Sequence, residues 1–229
     1  GAWSDLARAH METDDFQAGE TTVKRAIQLQ PEMAYPQMMY GNLLSKASRY
    51  EEAIEKFNVA LKKQPDHGGT LAALGHAQKT IGLQKEAIDS YRACIQSNPA
   101  FGEAYWSLAN LKTFRFSDDE IARMESLVDD EQLLDETRVN FNFALGKAKE
   151  DNGEFKAAFE RYKKGNTLRR QAEEYDPVQT EVIHDRIIET FNAEFLEANA
   201  GRGNPDSSPI FIVGLPRSGS TLIEQILAS

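Results

Sequence analysis

The chain has 229 residues, of which 41% are hydrophobic, and its formal net charge at pH 7 is -10. This length allows one large or two small domains. The acidic charge argues against nucleic acid as the main partner, because phosphate binding usually needs a basic face. No stretch reaches the roughly 18 apolar residues of a membrane helix. The single cysteine, Cys94, excludes an internal disulfide and favours a reducing, cytoplasmic compartment.

Internal repetition is the strongest pattern in the chain. Pro31, Pro65 and Pro99 lie 34 residues apart, and aligning on them superimposes YGNLLSKASRYEEAIEKFNVALKKQP on LGHAQKTIGLQKEAIDSYRACIQSNP. Small residues recur in each unit with large residues between them: the small ones are Ala7, Gly41, Ala53, Gly75, Ala87 and Ala109, and the large ones are Leu6, Tyr40, Phe57, Leu74, Tyr91 and Leu108. A period of this length is that of the tetratricopeptide repeat, a pair of helices.

Residues 1–172 therefore resemble the tetratricopeptide-repeat family. The resemblance implies an all-α fold in which antiparallel helix pairs stack into a right-handed superhelical solenoid. About five units fit the chain. The fourth is atypical, because its second helix, which a capping Ser117 opens, lacks the residues of the family. The fifth unit places Gly146 and Tyr162 correctly but is displaced by three residues from the strict register.

Two segments are predicted after the repeats. Asp176 and Pro177 are typical of the cap and first position of a helix, and Gly201 is typical of a helix end. We therefore expect a helix within residues 173–200 that caps the last repeat. Residues 201–208, GRGNPDSS, are rich in turn formers and predict a linker.

The last 21 residues, PIFIVGLPRSGSTLIEQILAS, follow another pattern. Apolar, β-favouring residues precede a turn with two glycines and then a helix-like stretch. This order predicts the strand, loop and helix that open a P-loop-like α/β domain over residues 209–229. Gly214 and Gly219 keep the Walker spacing, but Ser220 occupies the position of the Walker lysine.

This segment resembles the phosphosulfate loop of sulfotransferases, most closely that of the tyrosylprotein enzymes and of bacterial sulfotransferases that carry tetratricopeptide repeats in front. The resemblance rests on PRSGST, residues 216–221, together with the preceding repeats. It implies 3′-phosphoadenosine-5′-phosphosulfate as the sulfuryl donor. In this family the catalytic base and the 3′-phosphate site lie beyond the first helix. We therefore expect a longer enzyme, of which residues 1–229 alone are inactive.

The loop residues are suited to holding an anion. Backbone N–H groups at a helix start and the hydroxyls of Ser220 and Thr221 can bind the 5′-phosphate; the predicted donor-binding residues are Arg217, Ser218, Gly219, Ser220 and Thr221. Arg217 is also the predicted catalytic residue, because its guanidinium can bridge phosphate and sulfonate oxygens and stabilise charge on the leaving group. The alternative is that the glycines only permit a tight turn.

Polar side chains recur at the ninth position of successive first helices, a position that in the repeat family faces the concave groove. They are Arg8, Asn42, His76, Asn110 and Lys147. A side-chain amide offers both a donor and an acceptor to a peptide backbone, so a protein or peptide partner is predicted there. Met38 and Trp106, at the fifth position, would add apolar contact. Ordinary solvent exposure of the polar residues, and packing of these two between repeats, are the alternatives.

Two functions remain open from the sequence alone. The first is a sulfotransferase whose repeats recruit its acceptor, and the second is a protein-binding scaffold without enzyme activity. No metal site is expected, because the four histidines fall in no paired ligand spacing. The acceptor hydroxyl could belong to a peptide tyrosine, a saccharide or a small molecule.

Overall fold

Helix-forming stretches and short turns alternate along the first 174 residues, which fold into a series of packed helices. The computed structural model describes residues 3, 6, 9, 10, 13, 15–111, 113–215 and 218–229. The helices described up to residue 172 are α1 (Phe16–Leu29), α2 (Ala34–Lys46), α3 (Tyr50–Lys63), α4 (Gly68–Thr80), α5 (Gln84–Ser97), α6 (Gly102–Ala109), α7 (Asp118–Leu127), α8 (Asp135–Asp151) and α9 (Phe155–Ala172).

These helices pack in consecutive pairs, as the repeat pattern predicts. Helix α2 packs against α3, α4 against α5, and α8 against α9, with short turns between the partners. The first helices of neighbouring units also touch, because α2 contacts α4, α4 contacts α6, and α6 contacts α8. The predicted stack of helix pairs is thus confirmed, and its first helices form a continuous row.

The recurring glycines lie where a first helix crosses its partner closely. A Cβ on Gly41 would lie 2.5 Å from a ring carbon of Phe57, and one on Gly75 would lie 2.6 Å from a ring carbon of Tyr91. Both rings are fully buried, with 0% of their surface exposed. Any side chain at these glycines would therefore have to displace a packed aromatic ring.

The fourth unit has a shorter second helix than the second and third units. Helix α7 has 10 residues, where α3 and α5 have 14 each. Its start is fixed by a capping box, in which the Glu120 N–H donates to Ser117 Oγ at 3.3 Å and the Ser117 N–H donates to Glu120 Oε2 at 2.9 Å. Next to this short helix, α6 approaches α8 so closely that a Cβ on Gly102 would lie 2.7 Å from the Thr137 carbonyl oxygen.

Residues 175–229 form a second compact unit. It contains α10 (Pro177–Thr190), α11 (Ala193–Ala198) and α12 (Ser220–Ala228). Asp176 caps α10 as predicted, since its Oδ1 accepts the Val178 N–H at 2.9 Å. The expected single helix is divided, because Asn192 Oδ1 caps α11 by accepting the Phe195 N–H at 2.9 Å.

The strand expected directly before the loop is not formed. Residues 209–214 have no regular secondary structure, and the described residues contain no strand with which they could pair. A strand is stable only when a neighbour satisfies its backbone N–H and C=O groups. Within the described parts of the chain, no helix is both long and apolar enough to cross a membrane.

Candidate functional site

The predicted donor-binding loop ends at the start of helix α12. Gly219 adopts a left-handed conformation with φ of 93° and is the cap residue of this helix. Among the described residues no side chain caps the helix, so its first backbone N–H groups lack a side-chain acceptor there. Ser218, Gly219, Ser220 and Thr221 are all exposed. An uncapped helix start preceded by a left-handed glycine fits an anion such as a phosphate.

Described residues on the two sides of Pro216 and Arg217 lie close together. The Ser218 N–H donates to the Leu215 carbonyl at 3.1 Å, and a Cβ on Gly214 would lie 2.8 Å from Ser218 Oγ. The two glycines therefore have different roles, because Gly214 allows a close approach and Gly219 supplies the positive φ. Arg217, the predicted catalytic residue, lies outside the described residues, as does Pro216.

His76, one of the predicted groove residues, connects three helices. Its Nδ1 lies 2.9 Å from the hydroxyl of Tyr91, and its Nε2 lies 3.0 Å from Glu103 Oε1. The hydrogen bond from His76 holds the pKa of Glu103 below its usual value. Burial raises the pKa of Tyr91 to about 12, so this phenol stays protonated at neutral pH. His76 therefore links α4, α5 and α6, and both of its ring nitrogens have partners.

The other predicted polar groove residues differ in how free their side chains are. Lys147 pairs with Asp151 one turn further along α8. Asn42 is partly buried in α2, while Asn110 is exposed and ends α6 as its C-terminal cap residue. Arg8 lies outside the described residues. The two asparagines are therefore the described members of this set that retain side-chain groups for a ligand.

The fifth position of the first helices carries an aromatic pair. The rings of Trp106 and Phe143 lie 5.4 Å apart, and Phe143 is also 6.4 Å from the ring of Tyr162. Trp106 and Met38 are both partly buried against the repeat cores. Phe143 and Glu103 were missed by the sequence analysis, although Phe143 occupies the fifth position of the displaced fifth unit. Extending the alignment across the three-residue shift would have found it.

The described residues offer no place for a metal ion. They contain no group of three or more His, Cys, Asp or Glu side chains arranged to ligate one. The chemistry available to them is therefore anion binding at the start of α12 and polar and aromatic contact along the first helices.

Two kinds of family model match the sequence. Residues 4–67 and 69–101 match models of the tetratricopeptide repeat, and residues 209–229 match that of the sulfotransferase family. The repeat matches cover the stack up to residue 101, the sulfotransferase match covers the loop and α12, and residues 102–208 lie outside these matches.

A curated protein and two solved structures are similar to this chain. A protein of Aquifex aeolicus (strain VF5), described as uncharacterized, is 32% identical over 197 residues, which are 85% of this chain and 26% of that protein. The chain thus spans about a quarter of the length of this curated relative. MamA from Desulfovibrio magneticus RS-1 has a similar structure, with a TM-score of 0.55, 19% identity, and coverage of 76% of this chain and 96% of that one.

A second solved structure shows the same fold. It is YrrB, described as a TPR protein with an unusual peptide-binding site, with a TM-score of 0.53, 16% identity, and coverage of 81% of this chain and 91% of that one. Because the sequence identities to both solved structures are low, the structural similarity supports the fold alone. Residues 4–67 and 69–101 of this chain thus carry tetratricopeptide repeats, and residues 209–229 match the model of the sulfotransferase family.

Proposed function

We propose that this chain is the repeat region, with the first donor-binding loop, of a sulfotransferase. That enzyme would move a sulfuryl group from 3′-phosphoadenosine-5′-phosphosulfate to an acceptor hydroxyl. The observation that carries the proposal is the loop at residues 209–229, which matches the sulfotransferase family and in which the left-handed Gly219 opens an uncapped helix. Of the described residues, this helix start is the part best suited to a phosphate.

Each loop residue would have a defined task. The backbone N–H groups of Ser218 to Thr221 and the hydroxyls of Ser220 and Thr221 would hold the 5′-phosphate. Arg217 would bridge phosphate and sulfonate oxygens and stabilise the charge that develops on the leaving group. The donor, when bound, supplies an activated sulfuryl group.

We further propose that residues 1–229 alone do not catalyse transfer. The described residues form no sheet, so the loop has no paired strand to hold it in place. They also offer no assigned base to remove the proton of the acceptor hydroxyl. A protein-binding scaffold without enzyme activity is the alternative.

The repeats would recruit a protein acceptor along the row of first helices. Asn42 and Asn110 retain amide groups that can pair with a peptide backbone, and the Trp106–Phe143 pair adds an aromatic surface. YrrB, a protein of the same fold, has a peptide-binding site, and this adds support by analogy.

We place the protein in the cytoplasm of a bacterium. Cys94 is fully buried and unpaired, and burial raises the pKa of its thiol to about 12. A lone, protonated thiol is typical of a reducing compartment. The source of the curated relative, Aquifex aeolicus, supports a bacterial origin.

The acceptor site can be tested with two asparagine substitutions in the longer enzyme. We expect Asn42→Ala combined with Asn110→Ala to weaken transfer to a protein acceptor about tenfold, because two backbone hydrogen bonds are lost. Transfer to a small phenol should not change, since a phenol needs no groove. Labelled-sulfate transfer to both acceptors measures the difference.

A matched pair of substitutions controls for loss of amide groups in general. Asn58 and Asn166 are exposed on the second helices α3 and α9, so Asn58→Ala with Asn166→Ala should leave both activities unchanged. Equal losses on the two acceptors, or no loss on either, would show that the first-helix asparagines are ordinary surface residues.

A further inference from the structure

A small cavity lies where the start of helix α6 meets the start of helix α8. It has a volume of about 230 Å³ and is bounded by these two helix starts and by the turn before α6. Cavities that hold whole small-molecule ligands measure roughly 300–1,000 Å³. An occupant of about the size of one amino-acid side chain is therefore expected.

The charged side chains that line this cavity are acidic. Glu103 on α6 and Glu136 on α8 border it, and the described residues of its lining include no lysine, arginine or histidine. Because the hydrogen bond from His76 lowers the pKa of Glu103, this carboxyl is ionised at neutral pH. Glu136 is exposed and has no ion-pair partner among the described residues. The cavity therefore favours a cation over an anion.

Uncharged polar groups of the lining can accept further hydrogen bonds. Thr137 and Asn140 are partly buried on α8, and their side chains have no hydrogen-bond partner within the part of the chain that the structure describes. A hydroxyl oxygen and an amide oxygen are both acceptors. Together with the carboxylates they suit a group that carries several N–H donors in one plane, which is the arrangement of an arginine guanidinium.

Helix starts by themselves favour acidic residues, because a carboxylate there stabilises the helix dipole. Glu103 and Glu136 are each the second residue of their helix. Here, however, α6 and α8 approach so closely that a Cβ on Gly102 would lie 3.2 Å from the Cβ of Asn140. This approach places both carboxylates on a single cavity, which the stabilisation of two separate helices does not require.

The cavity adjoins the Trp106–Phe143 pair on the same helix faces. Glu103 lies three residues before Trp106 on α6, and Asn140 lies three residues before Phe143 on α8. Residues three apart share a helix face and are separated by about 4.5 Å along the axis. Alternate side chains of an extended peptide lie about 7 Å apart. Two such side chains can therefore reach the cavity and the aromatic pair together.

We propose that this cavity is a specificity subsite that binds an arginine side chain of the acceptor peptide. The guanidinium pairs with Glu103 and Glu136 and donates to Asn140 Oδ1. An apolar side chain two residues along the peptide packs on Trp106 and Phe143. This inference rests on the proposed recruitment of a protein acceptor by the repeats, and it adds the chemistry that selects the acceptor.

Binding is measured on the 229-residue chain by nuclear magnetic resonance. The probe is acetyl-Gly-Arg-Gly-Leu-Gly-amide, and the comparison peptide carries citrulline, which has the shape of arginine without its charge. We expect the arginine peptide to shift the side-chain signals of Asn140 NH₂ and Trp106 Nε1–H. The citrulline peptide should bind about tenfold more weakly, because two charge pairs are lost. Equal affinities, or no shift at these two residues, would overturn the proposal.

A charge substitution with a matched control tests the contribution of the carboxylate. Glu136→Gln should weaken the arginine peptide about threefold and leave the affinity of the citrulline peptide unchanged. Glu51 is likewise the second residue of its helix, α3, and it is exposed and lies outside the cavity. Glu51→Gln should therefore leave binding unchanged. Equal effects of the two substitutions would mean that Glu136 acts only on its helix start, and this would contradict the site.

An amide substitution provides a test that does not depend on charge. Asn140→Ala should weaken the arginine peptide about threefold, while the midpoint of urea unfolding confirms that the variant is folded. Wild-type affinity in this variant would remove Asn140 from the site and contradict the proposal. A longer enzyme that transfers sulfate while the 229-residue chain binds both peptides equally would overturn this subsite and leave the proposed function in place.

Discussion

Replacing Phe57 with alanine is expected to lower the free energy of unfolding of the repeat unit by about 3–5 kcal/mol. The ring is 0% exposed and packs directly over Gly41, where a Cβ would lie 2.5 Å from it. Because Gly41 has no side chain that could fill the space, the substitution leaves a cavity at the helix crossing. Urea unfolding followed by circular dichroism measures the loss.

A matched aromatic residue and a double-mutant cycle sharpen this test. Phe155 is 70% exposed at the start of α9, so Phe155→Ala should change stability by less than about 1 kcal/mol. Gly41→Ala should destabilise the wild-type protein but cost less when Phe57 is already alanine, because the clash has been removed. Additive effects of Gly41→Ala and Phe57→Ala would mean that the two residues do not meet at the crossing.

Replacing Arg217 with alanine in the longer enzyme is expected to reduce turnover by the equivalent of about 2–4 kcal/mol in the transition state. The reason is that the guanidinium would act mainly as charge develops on the leaving group, so turnover should fall more than donor affinity. Arg217→Lys should restore only part of the rate, since an ammonium group cannot bridge two oxyanions as a guanidinium does. Steady-state transfer kinetics separate the two effects.

A nearby arginine serves as the control for this charge change. Arg202 is exposed in the linker and donates to Asn199 Oδ1 at 3.3 Å, so Arg202→Ala should leave turnover unchanged. Turnover close to the wild-type value in both Arg217 variants would show that this residue has no catalytic role.

The repeat fold could be predicted from the sequence because its packing is local and periodic. The spacing from Gly41 to Phe57 recurs from Gly75 to Tyr91, and each pair forms the same close crossing. The helix start at Ser117 could also be predicted, because Ser117 and its capping partner Glu120 lie only three residues apart. Such short-range signals are contained within a single unit of the sequence.

Features that depend on distant partners were predicted less well. The strand before the loop needs a neighbour to pair its backbone, and the described residues provide none. His76 stays a predicted groove residue, but its contacts with Tyr91 and Glu103, which belong to other helices, could not be predicted from the sequence. The burial of Asn142 was missed as well, because only the structure shows that its side-chain oxygen is buried and has no donor among the described residues.

Transfer of labelled sulfate from 3′-phosphoadenosine-5′-phosphosulfate is the most direct test of the proposed function. The assay compares the 229-residue chain with a longer protein that continues it through a sulfotransferase domain. We expect the longer protein to label a protein acceptor and the 229-residue chain to label none. A folded longer protein that transfers no label to any protein, saccharide or phenol acceptor would contradict the proposal and leave a protein-binding scaffold as the function.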